Sequence, residues 1–360
     1  MYKVFLVYIL MVFACSLHPK EQANVLYAKD LYPYGRSEIT TDNTLNLISS
    51  AVHFGFTFQG KTCTIYTSLP SWLDHNYLQY ELDGVYQKRI KVSKNANSVT
   101  IKASNDGKHT VWIYKATEAT TGGIFIDKIE GNNLNALHPS PAPLIEFIGN
   151  SITSGAQSDV SEMPCGVGEY RDYTNAYMAY GPRVARALGV NFILSSVSGI
   201  GIYRTWNKDE PSMPQVYEKT DFQVESKSSW NFKLYTPKVV SIALGTNDLS
   251  DGDGQSERAP FDSSRFVTAY IDFIRLVHSK YADARIALLS SPMESGVKKI
   301  LLERCLTEIK KNIDDLHFLN EPVAVYFFEP MQPRGCSNHP SIEDHAILAK
   351  ELIPFFKKLL

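Results

Sequence analysis

The 360-residue chain carries no surplus of charge of either sign: 36 Lys and Arg stand against 38 Asp and Glu, a net charge of -2 at pH 7. Without a basic excess a phosphate backbone is not a natural partner, so nucleic-acid binding drops out. Cysteine is scarce, with 5 residues in all, and His53, His75 and His109 in the strand-rich half show no ligand spacing, so no metal is implied. Long apolar runs are also missing. The longest near the N-terminus, Val4 to Ala14, is too short to cross a bilayer as a mature helix. There is no internal repeat and no low-complexity tract. What remains is an ordinary globular composition, 44% hydrophobic and 21% charged, at a length that suggests two domains.

Lys3, the apolar stretch and Cys15 read together as a secretory signal. Val12-Phe13-Ala14-Cys15 resembles a bacterial lipoprotein cleavage box, although Phe13 departs from the usual pattern. Residues 1–22 are therefore expected to be signal and tether, with Cys15 lipidated and the mature protein held on a membrane of the cell envelope. A conventional cleaved signal with an incidental cysteine is the alternative. Export makes Cys63, Cys165, Cys305 and Cys336 candidate disulfide partners with 3 connectivities. Cys305 falls in the helical stripe Leu302, Cys305, Leu306, Ile309, Ile313 and reads as core. Cys165 and Cys336 fall in loops of the second half, where a bridge between them is one option.

Two grammars succeed one another along the chain. From Tyr34 to Gly131 short runs alternate: Val52, Phe54, Phe56 and Phe58 would share one strand face, with His53, Thr57 and Gln59 opposite. Asp83-Gly84 marks a tight hairpin, since both positions accept positive φ. Such short strands predict an antiparallel β-sandwich, a jelly roll, over 23–138. After the proline cluster Pro139 to Pro143, apolar runs near Leu144, Phe192, Val239, Arg285 and Val323 alternate with helical patterns near Asn175, Ser264, Val297 and Ile342. That predicts an α/β domain over 139–360, a parallel sheet covered by helices.

Four segments would gather at the carboxyl edge of that sheet: Gly149-Asn150-Ser151, Ser198-Gly199-Ile200-Gly201, Gly245-Thr246-Asn247-Asp248 and His339-Pro340. Acyl transfer needs a nucleophile, a base and donors for the oxyanion. Ser151 would attack, and His339 would take its proton. The amides of Ser151 and Gly199 and the side chain of Asn247 would hold the oxyanion. No cofactor is required.

In this order and spacing the second half resembles the SGNH (GDSL-like) hydrolases, which implies a three-layer α/β/α domain. With the N-terminal strands, Gly107 to Val111, and Gly335-Cys336 before His339-Pro340, the chain is most similar to the family 2 carbohydrate esterases, acetyl xylan esterases with an N-terminal jelly roll. The resemblance implies a serine ester hydrolase that removes acetyl groups from xylan, mannan or derived oligosaccharides. Alternatives are a peptidoglycan O-acetylesterase, a lipase-like esterase, or a carbohydrate-binding lipoprotein without catalysis.

Two positions depart from the family pattern. Asn150 stands where aspartate is usual. Cys336 stands three residues before the histidine, where the superfamily places its acid. A serine-histidine dyad is therefore expected, with a backbone carbonyl orienting the imidazole. Asp344 comes after Ser341 at capping-box spacing and reads as a helix cap. His345 reads as a packed residue, and Asp248 as a cap on the helix or loop after its strand. Asp251-Gly252-Asp253-Gly254 lacks the further ligands of a calcium loop. Trp206 and Tyr203, close after Gly199, are the candidate sugar-binding aromatics, and Trp230 a further one.

Overall fold

The computed structural model describes residues 23–360. The signal segment and Cys15 lie outside the described residues. Nine antiparallel strands between Ala23 and Ala136 form the first domain. Its longest strand, His53–Ser68, pairs with Lys108–Lys115 through its first half and with Ser98–Lys102 through its second. Register shifts along its pairing with Ile124–Ala136 let that pair bend across the domain, as bulges do. The layers enclose Phe54, Phe56, Phe58, Ile65, Leu78, Ile101, Val111 and Ile113. The hairpin at Asp83-Gly84 has φ of 54° and 78°, the pair of positive angles its sequence demands.

One face differs from the sequence pattern. His53 and Thr57, on the strand face opposite the phenylalanines, are buried as well. For His53 the reason is the second domain: its ring stacks on Phe192 at 4.6 Å. Burial without a carboxylate partner pushes the His53 pKa down to about 4.

In the second domain five parallel strands run in the spatial order Asn191–Ser196, Leu144–Gly149, Val239–Ala243, Arg285–Leu289, Ala324–Tyr326. The six residues Leu144 to Gly149 are all buried, which a strand covered on both faces requires. Helices Ser263–Lys280 and Gly296–Asp315 pack on one face through Phe266, Phe273, Leu302, Cys305 and Ile309. Helices Tyr180–Leu188 and Ile342–Lys357 cover the other through Val184, Leu348, Leu352 and Phe356. The helix expected from Asn175 starts at Tyr180, because Asn175 caps a short 3-10 turn instead. The chain's first parallel strand lies between its second and third, so the strand order reverses at the carboxyl end of Leu144–Gly149. A crevice opens at such a switch point, and Ser151 stands there.

Candidate active site

Strand Leu144–Gly149 turns directly into a four-residue helix, Ser151–Ser154. The turn needs glycine at 149, since a Cβ there would lie 2.0 Å from Thr153 Oγ1. Asn150 caps the helix: its Oδ1 accepts from the Ile152 amide at 3.0 Å. Accepting one N–H takes an oxygen and no charge, so asparagine serves where aspartate is usual. Ser151 then opens the helix, and its amide has no acceptor within the helix. Its hydroxyl lies 2.9 Å from His339 Nε2.

His339 reaches it from the other end of the sheet on a loop tied at several points. The Cys336 amide donates to the Gln157 carbonyl at 2.8 Å, and Cys336 is disulfide-bonded to Cys165. Ser337 and Asn338 both lie in the left-handed region, at φ 50° and 57°. This turns the Ser337 carbonyl toward the imidazole, where it accepts from Nδ1 at 2.9 Å. The carbonyl needed for a dyad is thus that of Ser337. It fixes the proton on Nδ1 and leaves Nε2 free to receive the serine proton. Desolvation holds the His339 pKa below its ordinary value, and the Ser337 and Cys336 carbonyls oppose this only in part.

Asp344 is occupied elsewhere. Its carboxylate accepts from the Ser341 amide at 2.9 Å and from Arg334 Nε at 2.7 Å, and its amide donates to Ser341 Oγ, completing a capping box. His345 is fully buried, with Nδ1 accepting from the Tyr180 amide at 3.3 Å, and burial drives its pKa down to about 3.

The loop that carries the candidate oxyanion donor Gly199 comes after strand Asn191–Ser196. Gly199 adopts φ +76°, and a Cβ there would lie 2.8 Å from the Trp206 ring, so both backbone and packing require glycine. The Asn247 side chain donates one N–H to the Ile200 carbonyl at 2.8 Å, which leaves the other for a ligand. Asp248 does not cap the segment after its own strand. It is buried and accepts from the amides of Ile202 and Tyr203, clamping the neighbouring loop. Desolvation raises its pKa to about 6 despite those bonds.

Ser151, Gly199, Asn247 and His339 line one cavity of about 670 Å³, together with Tyr170, Trp206, Glu294 and Lys298. Trp206, 41% exposed, also borders a second cavity of about 580 Å³, so its ring stands between the two. Tyr203 is placed differently from the expectation. It is buried, packs against Phe261 and Phe266, and its hydroxyl accepts from the Asp262 amide, so it is a core residue and cannot stack on a sugar. Trp230 is likewise buried. Among the described residues the closest group of metal-capable side chains is Asp74, His75 and Glu169. Arg171 already bridges Asp74 and Glu169 at 2.6 Å each, which supplies the charge a cation would bring.

Sequence reasoning missed Tyr170, Glu294, Lys298 and Glu118. The last is a buried carboxylate of the first domain, bonded to Ser198. None belongs to a motif, and only the charged Lys115 and Glu118 at the end of an apolar strand gave a signal.

Comparison with known proteins places both domains in known families. Residues 147–327 match the GDSL-like lipase/acylhydrolase family, and residues 34–141 match the carbohydrate esterase 2 N-terminal domain. The chain belongs to the GDSL-like acylhydrolase family. With its N-terminal domain it has the architecture of a family 2 carbohydrate esterase. It is 29% identical over 314 residues to an acetylxylan esterase/glucomannan deacetylase of Cellvibrio japonicus, covering 84% of this chain and 82% of that protein. It is 31% identical over 302 residues to a cellulase/esterase of Acetivibrio thermocellus, covering 79% of this chain. The chain spans only about a third, 34%, of that larger protein. A family two carbohydrate esterase from Clostridium thermocellum, solved with cellohexaose, superposes with a TM-score of 0.78 at 26% identity, covering 93% of this chain and 98% of the other.

Proposed function

We propose that this esterase removes O-acetyl groups from plant cell-wall polysaccharides, xylan or mannan or their oligosaccharides, through an acetyl-enzyme. The observation that carries the reading is the 2.9 Å contact between Ser151 Oγ and His339 Nε2 beside the Gly199 and Asn247 donors. Ser151 Oγ attacks the acetyl carbonyl carbon while His339 takes its proton, and the oxyanion is received by the amides of Ser151 and Gly199 and by the Asn247 side chain. His339 then gives the proton to the departing sugar oxygen. In the second half a water loses its proton to His339 and attacks the acetyl group, and acetate leaves as Ser151 recovers the proton.

The substrate class draws support from the C. japonicus relative's name and from the cellohexaose complex of the C. thermocellum structure. The cavity rim agrees. Asp251, Glu294 and Lys298 with one exposed indole suit a polyol, whereas a lipase site would need an apolar trough for an acyl chain. Acetate release from acetylated xylan, acetylated glucomannan and O-acetylated peptidoglycan, beside a long-chain 4-nitrophenyl ester, tests the reading. Xylan or glucomannan should be turned over fastest. Faster release from peptidoglycan, preference for the long-chain ester, or no release at all would overturn it.

The same proposal puts the protein outside the cytoplasm, tethered by a lipid on Cys15. The Val4 to Ala14 stretch before Cys15 favours it, as does the Cys165–Cys336 disulfide, a bond that persists in oxidising compartments. Cells fed radioactive palmitate should label the protein, and Cys15→Ser should remove the label; an unlabelled native chain would refute the anchor.

A further inference from the structure

Glu118 belongs to the first domain, just after strand Lys108–Lys115, yet its side chain ends inside the second. It is fully buried. A buried carboxylate is costly unless its oxygens are satisfied, and these are: Oε2 accepts from the Ser198 amide at 2.7 Å and Oε1 from the Ser198 hydroxyl at 2.5 Å. Since Ser198 spends its only hydroxyl proton on Glu118, the Tyr170 hydroxyl 2.7 Å away must donate to Ser198 Oγ. Lys115, also fully buried, donates to the carbonyls of Thr117 and Glu118 and supplies the opposite charge. Desolvation lowers its pKa to about 7, and Glu118 draws it back up.

Ser198 immediately precedes Gly199, whose amide is a candidate oxyanion donor. The loop between them and Arg204 is held on both sides of Gly199, and its Ile200 and Gly201 carbonyls accept from the Asn247 side chain and the Met213 amide. Downstream, Asp248 of the second domain takes the amides of Ile202 and Tyr203, and the Trp206 amide bonds the Gly199 carbonyl at 2.8 Å. Upstream, Glu118 supplies the two Ser198 bonds. Gly199, at φ +76°, lies between these anchors, so the direction of its N–H depends on where the Ser198 peptide is fixed.

We propose that Glu118 is a positioning residue of the esterase site, through which the N-terminal sheet domain sets the Gly199 oxyanion donor. This rests on the acetylesterase reading and adds a role for the first domain that no substrate contact requires. Catalysis depends on donors aimed where charge develops, and losing one such donor costs about 10²- to 10³-fold in kcat. Because Gly199 would be displaced and not deleted, the expected loss for Glu118→Ala is about 10²-fold in kcat, with KM changed less than about threefold. Glu118→Gln keeps an acceptor for the Ser198 amide, and its NH2 can donate to Ser198 Oγ once that hydroxyl rotates, so it should recover kcat to within about tenfold of the native value.

Glu118→Ala also leaves Lys115 buried without its counter-charge, which weakens folding. The double variant Lys115→Met/Glu118→Met removes both buried charges and fills the same space with apolar side chains. The experiment measures kcat and KM on 4-nitrophenyl acetate and acetylated xylan, with thermal melting, for native chain, Glu118→Gln and the double variant. A double variant that melts like the native protein but has kcat reduced about 10²-fold, with Glu118→Gln rescued, supports the proposal. Native kcat in the folded double variant, or equal losses in both variants that track their melting temperatures, would overturn it. A native chain releasing no acetate would overturn the esterase reading itself, a result distinct from an active native chain beside an equally active double variant.

Discussion

Ser151→Ala is expected to lower kcat for acetate release by about 10⁵- to 10⁶-fold, and His339→Ala by a similar factor. The double variant should be little worse than either single one, since nucleophile and base act as a unit and losing one idles the other. The hydroxyls nearby cannot substitute. Ser198 Oγ gives its proton to Glu118, and Ser154 Oγ gives its own to Ser196, so neither faces a base with a free lone pair. Ser151 alone among the described hydroxyls lining the cavity contacts an imidazole nitrogen. Folding should survive the change, because the lost hydrogen bond contributes only about 1 kcal/mol. Initial rates of acetate release, with melting curves on the same samples, check this. More than about 1% residual kcat in a folded Ser151→Ala protein would move the nucleophile elsewhere.

The sheet of the second domain was legible because its strands are buried on both faces and carry continuous apolar runs, Leu144 to Ile148 most clearly. Ser151, Gly199, Asn247 and His339 were legible because each ends a strand or opens a loop in a fixed order. What the sequence could not supply were partners defined by the packing of one domain on the other. The burial of His53 comes from Phe192 of the second domain lying on its sheet face, and no local periodicity encodes that. Tyr203 lies as close after Gly199 as a substrate residue would, yet Asp248 pulls its amide inward and sends the ring into the core. Glu118 escaped notice because its partner Ser198 is 80 residues away. Trp206 lies beyond that clamp, where the Gly199 carbonyl holds its amide and the indole stays at the cavity.

The second large effect is expected at a carbonyl, reached through the residues that aim it. The Ser337 C=O points at His339 Nδ1 because both residues flanking that peptide are left-handed, at φ 50° and 57°. Left-handed geometry costs an ordinary L-residue about 1–2 kcal/mol, and β-branched residues tolerate it least. The pair Ser337→Val/Asn338→Val should therefore disfavour the competent loop by about 2–4 kcal/mol and lower kcat about 30- to 10³-fold. The ceiling is the ~10⁴-fold loss known when a triad imidazole holds the wrong tautomer. Ser337→Gly/Asn338→Gly keeps the angles at no steric cost and should keep kcat within about threefold. The pH profile separates loss of the carbonyl from loss of folding. His339 must be neutral to act as base, and desolvation holds its pKa below 6.5, so native kcat/KM should rise through a limb below pH 6.5 and be level by about pH 7. The Ser337 carbonyl favours the protonated ring, so without it the valine pair should show a lower plateau and a limb moved to still lower pH. A carboxylate partner would have done the reverse, placing the native limb above about 6.5. Such a limb, or full activity in the valine pair, would mean that an acid and not Ser337 completes the site.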